Sequence, residues 1–75
     1  MKQTPSLRNK YFVLGQNIQR LRKSKGMSQE LLAEKTGYSS HYMSHIENGK
    51  KKASLKVIFK IADELQVKVR DLFPF

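Results

Sequence analysis

Between Ser40 and Asn48 the chain reads SHYMSHIEN, a run of hydroxyl, imidazole and amide side chains, and Lys50 and Lys51 follow it. On a helix, Met43 and Ile46 turn to one face while Ser40, His41, Ser44, His45 and Asn48 turn to the other. Hydroxyls and neutral imidazoles both donate and accept hydrogen bonds, so this face suits recognition of polar edges on another molecule. His41 and His45 also stand four apart, the spacing of two metal ligands. No third ligand is evident and the glutamate of a zinc-protease helix is absent, so no metal is expected. Catalysis is not expected either. There are no paired carboxylates in a plausible cleft and no nucleophile beside a base, and ENGK lacks the rest of a phosphate-binding loop. Neither a cofactor nor a small-molecule ligand is indicated.

Charge says more about the partner. The 15 Lys and Arg against 6 Asp and Glu give a formal net charge of +9, a bias whose usual partners are nucleic acid or anionic lipid. Residues 1–29 hold Lys2, Arg8, Lys10, Arg20, Arg22, Lys23 and Lys25 and no acid, and residues 48–62 hold Lys50, Lys51, Lys52, Lys56 and Lys60, again without an acid. The stretch between, 30–47, is net negative. Two basic clusters flanking a less charged reading element are what a duplex binder needs, because Lys and Arg neutralise phosphates without carrying sequence information. A basic, membrane-bound helix would instead keep a greasy face exposed, and here the apolar faces are taken up by a core. No apolar run approaches the roughly 20 residues that span a bilayer, and MKQTPSLRNK is not a secretory leader, so a cytoplasmic location is expected. The chain has no cysteine, so helix packing must supply the stability.

The elements that must position these residues are all helical, because no segment alternates apolar and polar residues over strand length. We expect one all-α domain over residues 1–75, five helices in all, with residues 1–5 flexible. Leu7, Tyr11, Leu14, Ile18 and Leu21 form the first apolar stripe, opened by Pro5 and Ser6 and stopped by Gly26. Gly15 interrupts its interior, which leaves Val13 as a second possible start. Ser28 caps the next helix and Gly37 ends it; Ser39 caps the third and Gly49 closes it. Ser54 opens a fourth, with Leu55, Ile58, Ile61, Ala62 and Leu65 on its apolar face, and a fifth turn spans Arg70 to Phe73. The second and third helices are joined only by Thr36, Gly37 and Tyr38, so they cross steeply, with Ala33 small enough for the crossing and Gly37 free to take positive φ.

In this setting QELLAEKTGYSSHYMSHIENGK resembles the helix-turn-helix of the phage-repressor-like (Cro/repressor, xenobiotic-response-element) family. LGQNIQRLRKSKGMSQ resembles that family's first helix and turn, and SLKVIFKIADELQV with DLF its last two helices. HYMSHIENG followed by Lys and SL is most similar to the controller proteins of restriction-modification systems. The resemblance implies a five-helix repressor-like fold with its helix-turn-helix over 28–48, and a sequence-specific regulator of transcription that binds double-stranded DNA.

The resemblance also implies roles by position. Ser40, His41, Tyr42, Ser44 and His45 match base-reading positions, while Gln29, Asn48, Lys50 and Lys51 match positions on the DNA backbone. Serine and histidine stand where Arg, Gln and Asn make the bidentate base contacts, so the operator is not legible, and a ring such as that of Tyr42 can pack on the protein instead. Arg22 and Glu47 match a salt bridge between the first helix and the reading helix. Phe59, Val69, Phe73 and Phe75 exceed what so small a core obviously needs. They suit either a greasy terminus or, as the resemblance implies, a homodimer interface over about 54–73, which would pair two reading helices on a palindromic operator. An antitoxin-like grip on a protein partner would call for an acidic or apolar extension, which the final PF scarcely provides.

Overall fold

The computed structural model describes residues 6–75 except for the side chain of Arg8, so the expected flexibility of residues 1–5 lies outside the described residues. Four α-helices follow in order: α1 (Leu7–Ser24), α2 (Gln29–Thr36), α3 (Ser40–Glu47) and α4 (Leu55–Leu65). A single 3-10 turn, Val69–Leu72, takes the place of a fifth helix. It stops short of Phe73, which is already extended at φ −101° and ψ 106°, because the residue before a proline is pushed out of the helical region and Pro74 follows.

Each helix starts on a serine whose hydroxyl accepts a backbone N–H three residues on. The distances are 3.2 Å from Asn9 to Ser6, 3.0 Å from Leu31 to Ser28, 3.0 Å from Tyr42 to Ser39 and 3.2 Å from Val57 to Ser54. Each such cap is worth about 1 kcal/mol over alanine. The Ser6 cap settles the start of α1 at Leu7 rather than near Val13.

Gly15 does not break α1; its missing side chain is what lets α3 approach. A Cβ there would stand 2.5 Å from the Glu47 carbonyl oxygen and also run into that of Ile46. Around this crossing the core gathers Leu14 and Ile18 of α1, Leu32 and Ala33 of α2, Met43 and Ile46 of α3, and Val57, Ile58, Ile61, Ala62 and Leu65 of α4. Leu72 closes it from the 3-10 turn and is fully buried. That turn is tied down by Asn17, whose Nδ2 donates to the carbonyls of Asp71 and Leu72, both at 2.9 Å.

Two residues expected in the core lie outside it. Leu7 is 63% exposed and Leu55 67% exposed, each in the first turn of its helix, where the helical stripe runs past the neighbours that would cover it. Gln66 ends α4 in the left-handed region at φ 57°, a position for which glycine is the usual signal.

Candidate nucleic-acid interface

The inner side of α3 is fixed before anything can bind to its outer side. Glu47 is fully buried, and its Oε2 accepts from Arg22 Nε at 2.7 Å while Oε1 accepts from Arg22 Nη2 at 3.0 Å. Gln29 Nε2 at 3.0 Å and Gln19 Nε2 at 3.2 Å add to Oε1. Arg22 Nη1 donates to the Met27 carbonyl at 2.9 Å, and Gln16 Nε2 to the Glu47 carbonyl at 2.9 Å. Among the described residues no buried side-chain polar atom lacks a partner. A two-pronged Arg–carboxylate pair with every other acceptor filled is the geometry in which a buried charge is tolerated. Here it joins the last turn of α1, the first residue of α2 and the last residue of α3.

The outer side differs. Ser40 and His41 are exposed and Ser44 and His45 are half-buried, so all four present polar atoms to solvent. The imidazoles lie 4.2 Å apart between centroids, tilted by 51°. The pKa of His45 is lowered from 6.5 by its loss of water first, then by the charges of His41, Lys50 and Lys51. Tyr42 is turned in more than its neighbours: its ring stacks on that of Tyr38 with centroids 4.8 Å apart and planes at 28°. Lys60 lies over the far partner, 5.2 Å from the Tyr38 centroid. Any base contact by Tyr42 must therefore use the edge left open by this stack.

Beyond α3, Asn48, Lys50 and Lys51 are exposed, and the amides of Lys50 and Lys51 both donate to the His45 carbonyl, at 2.9 and 3.3 Å. Gln29 stands apart from them: one of its amide hydrogens is engaged by Glu47, which leaves the second for an outside acceptor. Gln16 and Gln19 were not singled out from the sequence. Their signal is the three-residue spacing Gln16, Gln19, Arg22, a polar stripe on a helix whose other face is apolar.

Away from α3, Phe59 is 51%, Phe75 59% and Val69 36% exposed, and the exposed Leu55 lies one turn before Phe59 on α4. Phe73 is partly buried against the core, with Phe75 edge-on to it at 6.3 Å.

Two short helices crossing over a small residue, the second locked from behind and polar in front, define a DNA-reading helix-turn-helix. Residues 18–72 match the helix-turn-helix family, and the chain belongs to that family of Cro/repressor-type DNA-binding transcriptional regulators. The control protein C.BamHI of Bacillus amyloliquefaciens is 41% identical over 64 residues, 84% of this chain and 79% of that protein. The uncharacterized HTH-type transcriptional regulator y4dJ of Sinorhizobium fredii is 33% identical over 55 residues, 73% of this chain and 71% of its own length. The solved structure of the restriction-modification controller protein C.AhdI from Aeromonas hydrophila matches with a TM-score of 0.82 at 38% identity, covering 84% of this chain and 96% of that one. No helix among the described residues is long and apolar enough to cross a membrane.

Proposed function

We propose that the chain acts as a homodimer on a palindromic operator, each copy laying α3 in the major groove of one half-site. The observation that carries this is the contrast across α3: a rear held by the buried Glu47 and a front of Ser40, His41, Ser44 and His45 open to solvent. These four, with the free edge of Tyr42, read base edges, and Gln29, Asn48, Lys50 and Lys51 hold phosphates that set the register. Copies pair through Phe59, Val69, Phe73 and Phe75, with Leu55 added on the grounds of its exposure. Large apolar side chains such as Phe59 and Phe75 are otherwise costly to leave in water. The likeness to the restriction-modification controller protein C.AhdI favours a role in controlling a restriction-modification system.

Selection of bound duplexes from a random pool tests the reading. The expected result is a two-fold symmetric site with half-sites about one turn, roughly 34 Å, apart. Sedimentation of the free protein should show a dimer that Phe59→Asp converts to monomer. An asymmetric single site, with only monomer at high concentration, would overturn the paired arrangement.

A further inference from the structure

The helix-turn-helix accounts for α2 and α3, but not for the first turns of α1, which precede the family match at residue 18. These turns carry exposed apolar side chains, Leu7 at 63% and Phe12 at 49%. They lie beside the loop that leaves α3. Gly49 in that loop sits against Phe12 so closely that a Cβ would stand 2.6 Å from the Phe12 Cα, and its φ of +71° disfavours a side chain as well. Helix and loop are thus held together and enclose an open groove of about 660 Å³.

Leu7 and Phe12 supply the groove's apolar wall, and Asn9, Asn48, Lys50 and Lys52 its polar one; among the described residues no carboxylate lines it. Two ammonium groups without a counter-charge call for an anion. The apolar wall calls for something carbon-rich that alternates with that anion at short intervals, as deoxyribose alternates with phosphate. The groove also begins at Asn48 and Lys50, which lie at the end of the reading helix.

We infer that this groove is a second track for DNA, holding the sugar-phosphate backbone beyond the stretch that α3 reads, with Lys52 on a phosphate and Phe12 and Leu7 against sugars. The inference rests on the placement of Asn48 and Lys50 against the backbone proposed above. It enlarges the footprint of each half-site on the side of the α3 C-terminus without adding base readout.

The test uses the full chain and a random-sequence duplex of about 30 bp, with affinity measured from about 50 to 200 mM salt. Lys52→Ala should weaken binding several-fold and reduce the salt slope by about 0.9, one phosphate's worth. Lys35→Ala, an exposed lysine on α2 outside the groove, should leave the slope unchanged. Asn9→Glu is the sharper variant. Asn9 is the third residue of α1 and its amide is capped by Ser6, so glutamate completes a capping box and favours the helix. Asn9→Glu should therefore raise the melting temperature while lowering DNA affinity about tenfold, a loss that no folding defect explains. If Lys52→Ala and Asn9→Glu bind like wild type while Lys50→Ala does not, the second track is wrong and the backbone anchors stand. If Lys50→Ala also binds like wild type, the anchors fall with it.

Discussion

The two sides of α3 are built on opposite principles. Inward, Met43, Ile46 and Glu47 are all but fully buried, and the carboxylate of Glu47 takes hydrogen bonds from three side chains on two other helices. Outward, the side chains of Ser40, His41, Ser44 and His45, exposed or half-buried, make almost no hydrogen bonds to the protein; that of Ser44 meets only Asn48, at 3.4 Å. The difference teaches how so short a helix can read DNA. Eight residues are too few to hold a helix by their own backbone bonds, so precision has to be imposed from behind, which frees the front side chains for the ligand.

The comparison is broken most severely by Glu47→Ala. Arg22, only 6% exposed, would keep its charge and lose its partner, and stranding one member of a buried pair costs about 3–5 kcal/mol. Thermal unfolding should register this loss, with DNA affinity falling only as the folded fraction falls. A variant that melts like wild type yet binds poorly would show that Glu47 serves the ligand rather than the frame.

A smaller effect comes from Gly15→Ala. The added methyl group meets carbonyl oxygens at the end of α3, so one helix must move away from the other, at about 1–3 kcal/mol by analogy with overpacked cores. Calorimetry should show the lowered melting temperature. Because the shift also tilts α3, specific DNA affinity should fall by more than the stability loss accounts for; a loss equal on specific and random duplexes would mean the tilt is absorbed elsewhere.

These two residues also mark where the sequence was legible. The caps at Ser28, Ser39 and Ser54 could be read because a hydroxyl serves an amide only three residues away. The interior glycine of α1 read locally as a possible break. Its reason is the backbone of Ile46 and Glu47, more than thirty residues on. The same distance hid Gln19, which reaches Glu47 across 28 residues. Leu7 and Leu55 failed differently: periodicity tells which face is apolar, but not where the covering neighbours end. Arg22 and Glu47 were paired through the family pattern rather than from their types, and the structure brings them to 2.7 Å.

On the front side, single deletions should separate reading from anchoring. Lys50→Ala should weaken binding to every duplex alike and take about one unit from the salt slope, whereas His41→Ala should change the order of preference among sequences at nearly constant slope. A titration of both variants on selected and random duplexes decides this. Equal losses for both proteins on both duplexes would dissolve the division of labour, leaving a front that is merely a basic surface.

The smallest effect concerns protons. With its pKa below 6.5 in the free protein, from partial loss of water and the charges of His41, Lys50 and Lys51, His45 is neutral at pH 7. The unfolded chain binds this proton more readily, so the contribution of His45 to stability is whole above about 6.5 and is lost as pH falls through the lowered value. DNA reverses the preference. Phosphates brought beside the imidazole favour its charged form, so binding takes up a proton and tightens as pH falls through the window between the free and the bound pKa. One proton limits the gain to about tenfold per pH unit. Affinity measured from about pH 7.5 to 5.5 should therefore rise for wild type and rise less for His45→Gln, which keeps a donor but cannot titrate. Parallel profiles for the two proteins would place the imidazole away from the phosphates and leave His45 only the base edges to read.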